Sequence, residues 1–152
     1  MAYNKNNMAE IEVLPPTILV IFGISGDLSR RYLLPALAAI NEAGHVEDNF
    51  VILGVSRREL SVEDVIPKAQ SVLRPKTQIL QMDVTASADY AKLKQTIGTL
   101  KKQLGKRAQV IFYLVVPPAG VPALIGQLGE AGLNGKDVKL LLEKPFVLEL
   151  QG

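Results

Sequence analysis

Five short apolar segments recur along the chain, and each is separated from the next by a longer stretch of mixed polarity. They occupy residues 17–22, 50–55, 78–82, 109–116 and 138–143. Continuous apolar runs of this length are typical of strands that are buried on both faces of a parallel sheet. The pattern therefore predicts five parallel strands joined by crossover helices.

The clearest helical pattern covers residues 87–104, between the third and fourth strands. Its apolar positions recur every three or four residues and predict the face that packs on the sheet. They are Tyr90, Leu93, Ile97, Leu100 and Leu104. Four lysines are expected to face away from the sheet: Lys92, Lys94, Lys101 and Lys102.

The first helix is predicted over residues 29–43, with an irregular start. Pro35 falls inside it, and proline lacks an amide donor and collides with the preceding turn, so we expect a broken first turn and a regular helix afterwards. Gly44 is expected to end this helix. A further helix is predicted around residues 121–132, after the fourth strand.

This alternation of strands and helices predicts an α/β fold with a doubly wound, Rossmann-like parallel sheet of strand order 3-2-1-4-5. We expect residues 1–15 to form a flexible leader and residues 16–152 to form one dinucleotide-binding domain. In such sheets ligands bind beyond the carboxyl ends of the strands, near the switch between the first and fourth strands. Residues that directly follow a strand are therefore the candidates for ligand contact.

Composition removes several classes of protein. The absence of cysteine excludes disulfide scaffolds and cysteine-based zinc sites, and no metal site is predicted. A net charge of +2 disfavours a nucleic-acid partner. No apolar run approaches the roughly 20 residues that a membrane-spanning helix needs, and the polar N-terminus does not resemble a secretory signal. Cytoplasmic location is the default expectation.

The segment from Gly23 to Ser29 follows the first strand directly and is the main candidate for phosphate binding. Glycines at Gly23 and Gly26 allow a tight turn and close approach of the backbone to a pyrophosphate at a helix N-terminus. Because the spacing is not G-x-G-x-x-G, a plain tight turn remains the alternative. A carboxylate beside a pyrophosphate is unfavourable, so helix capping is the role expected of Asp27.

The second strand is followed by Arg57 and Arg58, at the position where NAD-specific domains carry an acidic residue. A guanidinium there can bind a phosphate bidentately, which predicts that Arg57 contacts the 2′-phosphate of NADP. Two solvated arginines are the alternative. Asp83, after the third strand, is a candidate either for contact with adenine or for a turn.

Other candidates divide between the two edges of the sheet. Pro117 after the fourth strand and Lys144 after the fifth lie at the expected ligand edge. A strand stop explains Pro117 equally well. Lys144 is a candidate for contact with a phosphorylated substrate or the coenzyme, and an exposed lysine at a strand end is the alternative. His45, the single histidine, precedes the second strand and is expected at the opposite edge, as a solvated loop residue. We therefore exclude it as a catalytic base, and no catalytic residue is assigned in this chain.

Four ordered segments resemble the N-terminal coenzyme-binding domain of the glucose-6-phosphate dehydrogenase family. They read FGISGDLSRRYLLPAL at 22–37, GVSRREL at 54–60, FYLVVPP at 112–118 and LLLEKPF at 140–146. No single segment is specific to this family, but the joint occurrence of all four in this order is. The resemblance covers most of residues 17–146.

The resemblance implies NADP-linked oxidation of glucose 6-phosphate to 6-phosphogluconolactone, the entry step of the pentose phosphate pathway. It assigns the coenzyme loop to Gly23, Ser25, Gly26, Asp27 and Leu28. It assigns Arg57 to the 2′-phosphate, Tyr113 and Pro117 to the nicotinamide side, and Lys144 to contact with both substrate and coenzyme.

The chain also departs from the family pattern. The family continues E-K-P-F with glycine, whereas Val147 follows here. The family's catalytic histidine lies further on, in an R-I-D-H-Y-L-G-K motif, within a second domain that also forms the oligomer interface. We therefore expect a truncated chain that binds NADP, exposes apolar surface and turns nothing over alone. The rival hypotheses are a non-catalytic NADP-sensing module and an unrelated doubly wound domain that binds a different nucleotide.

Overall fold

The computed structural model describes residues 15–46, 49–105 and 107–142, which form a five-stranded parallel sheet of order β3-β2-β1-β4-β5. The predicted fold and strand order are therefore confirmed. The strands are β1 (Thr17–Phe22), β2 (Phe50–Ser56), β3 (Thr77–Gln81), β4 (Gln109–Leu114) and β5 (Val138–Leu142).

Strand ends differ from the prediction by one or two residues. The prediction for the fourth strand was two residues too long: β4 ends at Leu114, whose partner Phe22 is the last residue of β1. β1 ends at Phe22 and offers no further ladder partner, and the apolar Val115 and Val116 lie beyond the strand. The last residue of the fifth predicted strand, Glu143, lies outside the described residues.

The α-helices are α1 (Leu34–Glu42), α2 (Val62–Val65), α3 (Asp89–Leu104) and α4 (Val121–Glu130). Two 3₁₀ segments, Lys68–Lys76 and Pro118–Gly120, complete the connections. The prediction of a full crossover helix between β2 and β3 is wrong. The short α2 and the first 3₁₀ segment take the place of this helix. Pro67 and Pro75 explain this, because each removes an amide donor and interrupts a regular helix.

The predicted irregular start of the first helix is a π-helical turn, Ser29–Leu33, which leads directly into α1. The Leu34 amide donates to the Ser29 carbonyl, five residues back. A wider turn here relieves the collision that the Pro35 ring would make in a regular helix. The helix ends as predicted, since Gly44 follows its last turn with φ of 85°.

Apolar side chains fill both faces of the sheet. One face packs under α1 and the first 3₁₀ segment, and the other packs under α3 and α4. On the second face Phe22 and Phe112 lie with ring centroids 6.0 Å apart. The predicted face of α3 is confirmed: its first four apolar positions are buried and Leu104 is partly buried against them.

The outward lysines of α3 follow the prediction with one exception. Lys101 is partly buried and pairs with Asp137, just before β5, while the other three are exposed. The hydrogen bond from Lys101 and its positive charge hold the pKa of Asp137 below its usual range, against a smaller opposing effect of burial.

Replacing Asp137 with asparagine should lower the free energy of unfolding at pH 7 by at most about 1 kcal/mol, because the pair is about one-third exposed. Because the pKa of Asp137 is lower in the folded state, ionisation of this carboxyl stabilises the fold at pH values above its unfolded-state pKa, near 3.8. This stabilisation is lost as the pH falls through the pKa of Asp137 in the folded state. Urea titrations at pH 7 and pH 3 should therefore show a difference between Asp137→Asn and the parent that shrinks with acidity. A difference that is independent of pH would contradict this account.

Apolar surface is exposed along β5, as expected. Leu140, Leu141 and Leu142 are 43%, 47% and 46% exposed at the edge of the sheet. Exposed apolar edges favour association between chains. Within the described ranges, no helix has the length and apolar composition needed to cross a membrane.

Candidate functional site

The segment after β1 is seated at the switch between β1 and β4. Gly23, its first residue, has φ of 98°, in the left-handed region that side chains disfavour. A Cβ added there would lie 2.1 Å from the carbonyl oxygen of Val115. The backbone immediately after β4 therefore packs directly against this glycine, and the turn needs glycine for both conformation and space.

The turn is closed by hydrogen bonds to the Gly23 carbonyl. It accepts from the Gly26 amide at 3.0 Å and from the Ser29 hydroxyl at 2.9 Å. Ser29 is fully buried. Sequence reasoning missed its role, although a hydroxyl residue at the start of the helix, six positions after Gly23, was the available signal. The tip of the turn stays accessible, because Ser25, Asp27 and Leu28 are exposed.

A second glycine, Gly54 in β2, allows the turn to pack closely against that strand. Ile24 is fully buried, and a Cβ added at Gly54 would lie 2.5 Å from its side chain. Gly54 thus leaves the space that Ile24 fills between the turn and β2. The turn is held by packing on both neighbouring strands.

The capping role predicted for Asp27 is wrong. Asp27 and Leu28 are themselves helical, so Asp27 lies within the first helical turn and not at the capping position before it. The carboxylate of Asp27 instead lies 3.3 Å from Nε of Arg31, one helical turn further on, with both side chains mostly exposed. Pairing with Arg31 partly neutralises a carboxylate that would otherwise oppose an anion at the turn.

Arg57 directly follows the last residue of β2, at the same carboxyl edge as the turn. Its side chain is exposed, while its backbone carbonyl accepts a 3.3 Å hydrogen bond from the Gln81 side chain at the end of β3. The Arg58 amide donates to the Ser56 hydroxyl at 3.2 Å, and its side chain is also exposed. The strand end is anchored, and both guanidinium groups reach solvent.

Asp83 forms a turn after β3, which was one of its two predicted roles. Its Oδ1 accepts from the Thr85 amide at 2.9 Å and from the Thr85 hydroxyl at 2.7 Å. These bonds, first the hydroxyl and then the amide, hold the pKa of Asp83 below its usual range, and the positive charge of Arg57 acts in the same direction. The sequence did not reveal this proximity of Asp83 to Arg57.

The remaining candidates lie at different points of the fold. Tyr113, one residue before the end of β4, is partly buried and lines an apolar groove of about 170 Å³ beside α1. Pro117 is exposed three residues beyond β4. Lys144 lies outside the described residues. The backbone amide of His45 donates to Ile40 at the end of α1, so His45 lies at the amino edge, away from the turn, as predicted.

A family model described as glucose-6-phosphate dehydrogenase, NAD binding domain, matches residues 20–152. The glucose-6-phosphate 1-dehydrogenase of Chlamydia pneumoniae is 33% identical over 159 residues, which cover 90% of this chain and 31% of that protein. The enzyme of the same name from Dickeya dadantii is 32% identical over 140 residues, covering 84% and 28%.

Solved structures agree on the fold. A glucose-6-phosphate dehydrogenase in complex with its substrate glucose-6-phosphate superposes with a TM-score of 0.74 at 24% identity, over 93% of this chain and 34% of that one. The glucose-6-phosphate 1-dehydrogenase from Mycobacterium avium gives 0.69 at 25% identity, over 87% and 30%. The chain thus spans about 30% of the length of these relatives. It belongs to the glucose-6-phosphate dehydrogenase family and carries that family's NAD-binding domain.

Proposed function

We propose that this chain binds NADP at the carboxyl edge of the sheet, as the coenzyme domain of an enzyme that oxidises glucose 6-phosphate to 6-phosphogluconolactone. The observation that carries the proposal is the Gly23 turn, packed against Val115 at the strand-order switch with an exposed tip. Dinucleotides bind at this position in doubly wound sheets, with the pyrophosphate at the start of the first helix.

The residues at this edge fit a phosphorylated dinucleotide. Ser25, Asp27 and Leu28 are exposed at the tip of the turn, and the Gly26 amide keeps the turn tight by donating to the Gly23 carbonyl. Arg57, at the end of the adjacent strand, carries an exposed guanidinium suited to a 2′-phosphate. The turn follows β1 and Arg57 follows β2. In such folds the turn after the first strand binds the pyrophosphate, and the end of the second strand contacts the adenosine ribose.

The proposed reaction divides between this chain and other parts of the enzyme. The coenzyme supplies the hydride acceptor. In this proposal Tyr113 and Pro117 border the nicotinamide side and Lys144 contacts both substrate and coenzyme. In this proposal the base that takes the proton of the sugar hydroxyl comes from outside this chain, and His45, its single histidine, lies at the amino edge, away from the turn. We place the reaction at the entry to the pentose phosphate pathway, in the cytoplasm.

Binding can be tested by titrating the chain with NADPH and following the coenzyme's own fluorescence, since the chain has no tryptophan to interfere. Saturable binding is expected. Replacing Ser25 with aspartate puts a carboxylate at the exposed tip and should weaken binding by about tenfold, the effect of a like charge at close range near a protein surface.

The matched control is Ser71→Asp, at an exposed serine in the 3₁₀ segment Lys68–Lys76 that precedes β3. It should leave affinity unchanged. Equal losses in the two variants, or no binding by the parent chain, would overturn the proposed site. An assay with glucose 6-phosphate and NADP should show no turnover by this chain alone, and turnover at ordinary enzyme rates would refute the claim of an external base.

A further inference from the structure

Arg57 and Asp83 leave the sheet side by side, at the ends of two hydrogen-bonded strands. Ser56 and Gln81 are partners in the β2–β3 ladder, and the Met82 amide donates to the Ser56 carbonyl at 2.9 Å. The Gln81 side chain then bonds to the Arg57 carbonyl. The register therefore brings Arg57, one residue beyond β2, and Asp83, two residues beyond β3, to the same corner of the ligand edge.

The carboxylate of Asp83 is fixed in this corner. Oδ1 is held by the Thr85 amide and hydroxyl, and the Asp83 amide donates to Oδ2 of Asp89 at 2.8 Å. Donors on the ionised form keep this carboxylate negative at neutral pH, and it is close enough to Arg57 for their charges to interact. A fixed negative charge thus stands beside the guanidinium proposed to bind the 2′-phosphate.

We propose that Asp83 is a specificity-determining residue that limits the preference of this site for NADP over NAD. The proposal rests on the proposed coenzyme role of Arg57. The Asp83 carboxylate attracts the guanidinium of Arg57 and repels the 2′-phosphate of the coenzyme. Both effects weaken the binding of NADP. NAD carries a neutral hydroxyl at that position and is subject to neither effect. Asp83 therefore lowers the ratio of NADP affinity to NAD affinity.

The test is the isosteric substitution Asp83→Asn, with dissociation constants for NADP and NAD measured by calorimetry at low salt. The ratio of NADP to NAD affinity should rise by about threefold, the size expected for charges several ångströms apart near solvent. Raising the salt to about 0.5 M should largely remove this increase, because the Debye length then falls below the separation of the charges.

Two controls separate charge from structure. Thr85→Val removes a donor from the turn but keeps the Asp83 charge, and it should leave the ratio unchanged. Asp137→Asn makes the same charge change at the amino edge, and it should also leave the ratio unchanged.

An unchanged ratio in Asp83→Asn, or equal weakening of both coenzymes, overturns the proposal while leaving the proposed function intact. A parent chain that binds neither coenzyme overturns the proposed function, and this inference with it. The two failures are therefore distinguishable in one set of titrations.

Discussion

Replacing Gly23 with alanine should destabilise the domain by about 3 kcal/mol or more and abolish coenzyme binding. Two costs add. An alanine held at φ of 98° costs about 1–2 kcal/mol relative to glycine. Its Cβ would also lie 2.1 Å from the carbonyl oxygen of Val115, so a strand end must move, and overpacking of this kind costs about 1–3 kcal/mol. Because Gly23 belongs to the turn and Val115 packs directly on it, displacement of either one changes the turn, and coenzyme binding should be lost together with stability.

The free energy of unfolding from urea titration gives the measurement, and Gly126→Ala is the matched control. Gly126 lies inside α4, where an added Cβ meets nothing within 4 Å. Alanine there should be neutral or stabilise by up to about 1 kcal/mol, because it favours the helix more than glycine does. Similar stabilities for the two variants would show that the contact with Val115 does not constrain the turn.

The sheet was predictable because its signal is strong and local. Buried parallel strands need continuous apolar runs, and all five runs became strands in the predicted order. The apolar face of α3 was equally clear, since Leu93 and Ile97 recur at helical spacing and both are buried. In a parallel sheet a residue that follows a strand lies at the carboxyl edge, and one that precedes a strand lies at the amino edge. The placement of Arg57 and His45 at opposite edges could therefore also be predicted from the sequence.

The details of the site were not predictable in this way, because they depend on contacts between distant segments. Asp27 looked like a helix cap, but it lies within the first helical turn, just before the π-helical segment, and its carboxylate pairs with Arg31 instead. Ser29 closes the turn by donating to the carbonyl of Gly23, a residue packed against Val115 just after β4. The neighbourhood of Arg57 and Asp83 depends on the β2–β3 register, which the apolar pattern does not specify.

The other large effect is expected from Arg57→Glu. If the guanidinium binds the 2′-phosphate, this change removes a charge-assisted bidentate contact and puts a negative charge in its place, for a loss of about 2.7 kcal/mol or more, equivalent to about 100-fold in NADP affinity. NAD lacks the phosphate, so its affinity should change by no more than about threefold. Stability should move by less than about 0.5 kcal/mol, because the side chain is exposed.

Parallel titrations with NADP and NAD measure this selectivity, and two further arginines supply controls. Arg107→Glu makes the same charge change at an exposed residue that precedes β4 at the amino edge, and it should leave both affinities unchanged. Arg58→Glu makes the change one residue away and should have a smaller effect than Arg57→Glu, because long-range repulsion acts without loss of the direct contact. Equal losses for NADP and NAD in Arg57→Glu would remove the role assigned to this residue. A selective loss would identify the end of β2 as the point where the two coenzymes are distinguished, since the proposed partner of the Gly23 turn is the pyrophosphate that they share.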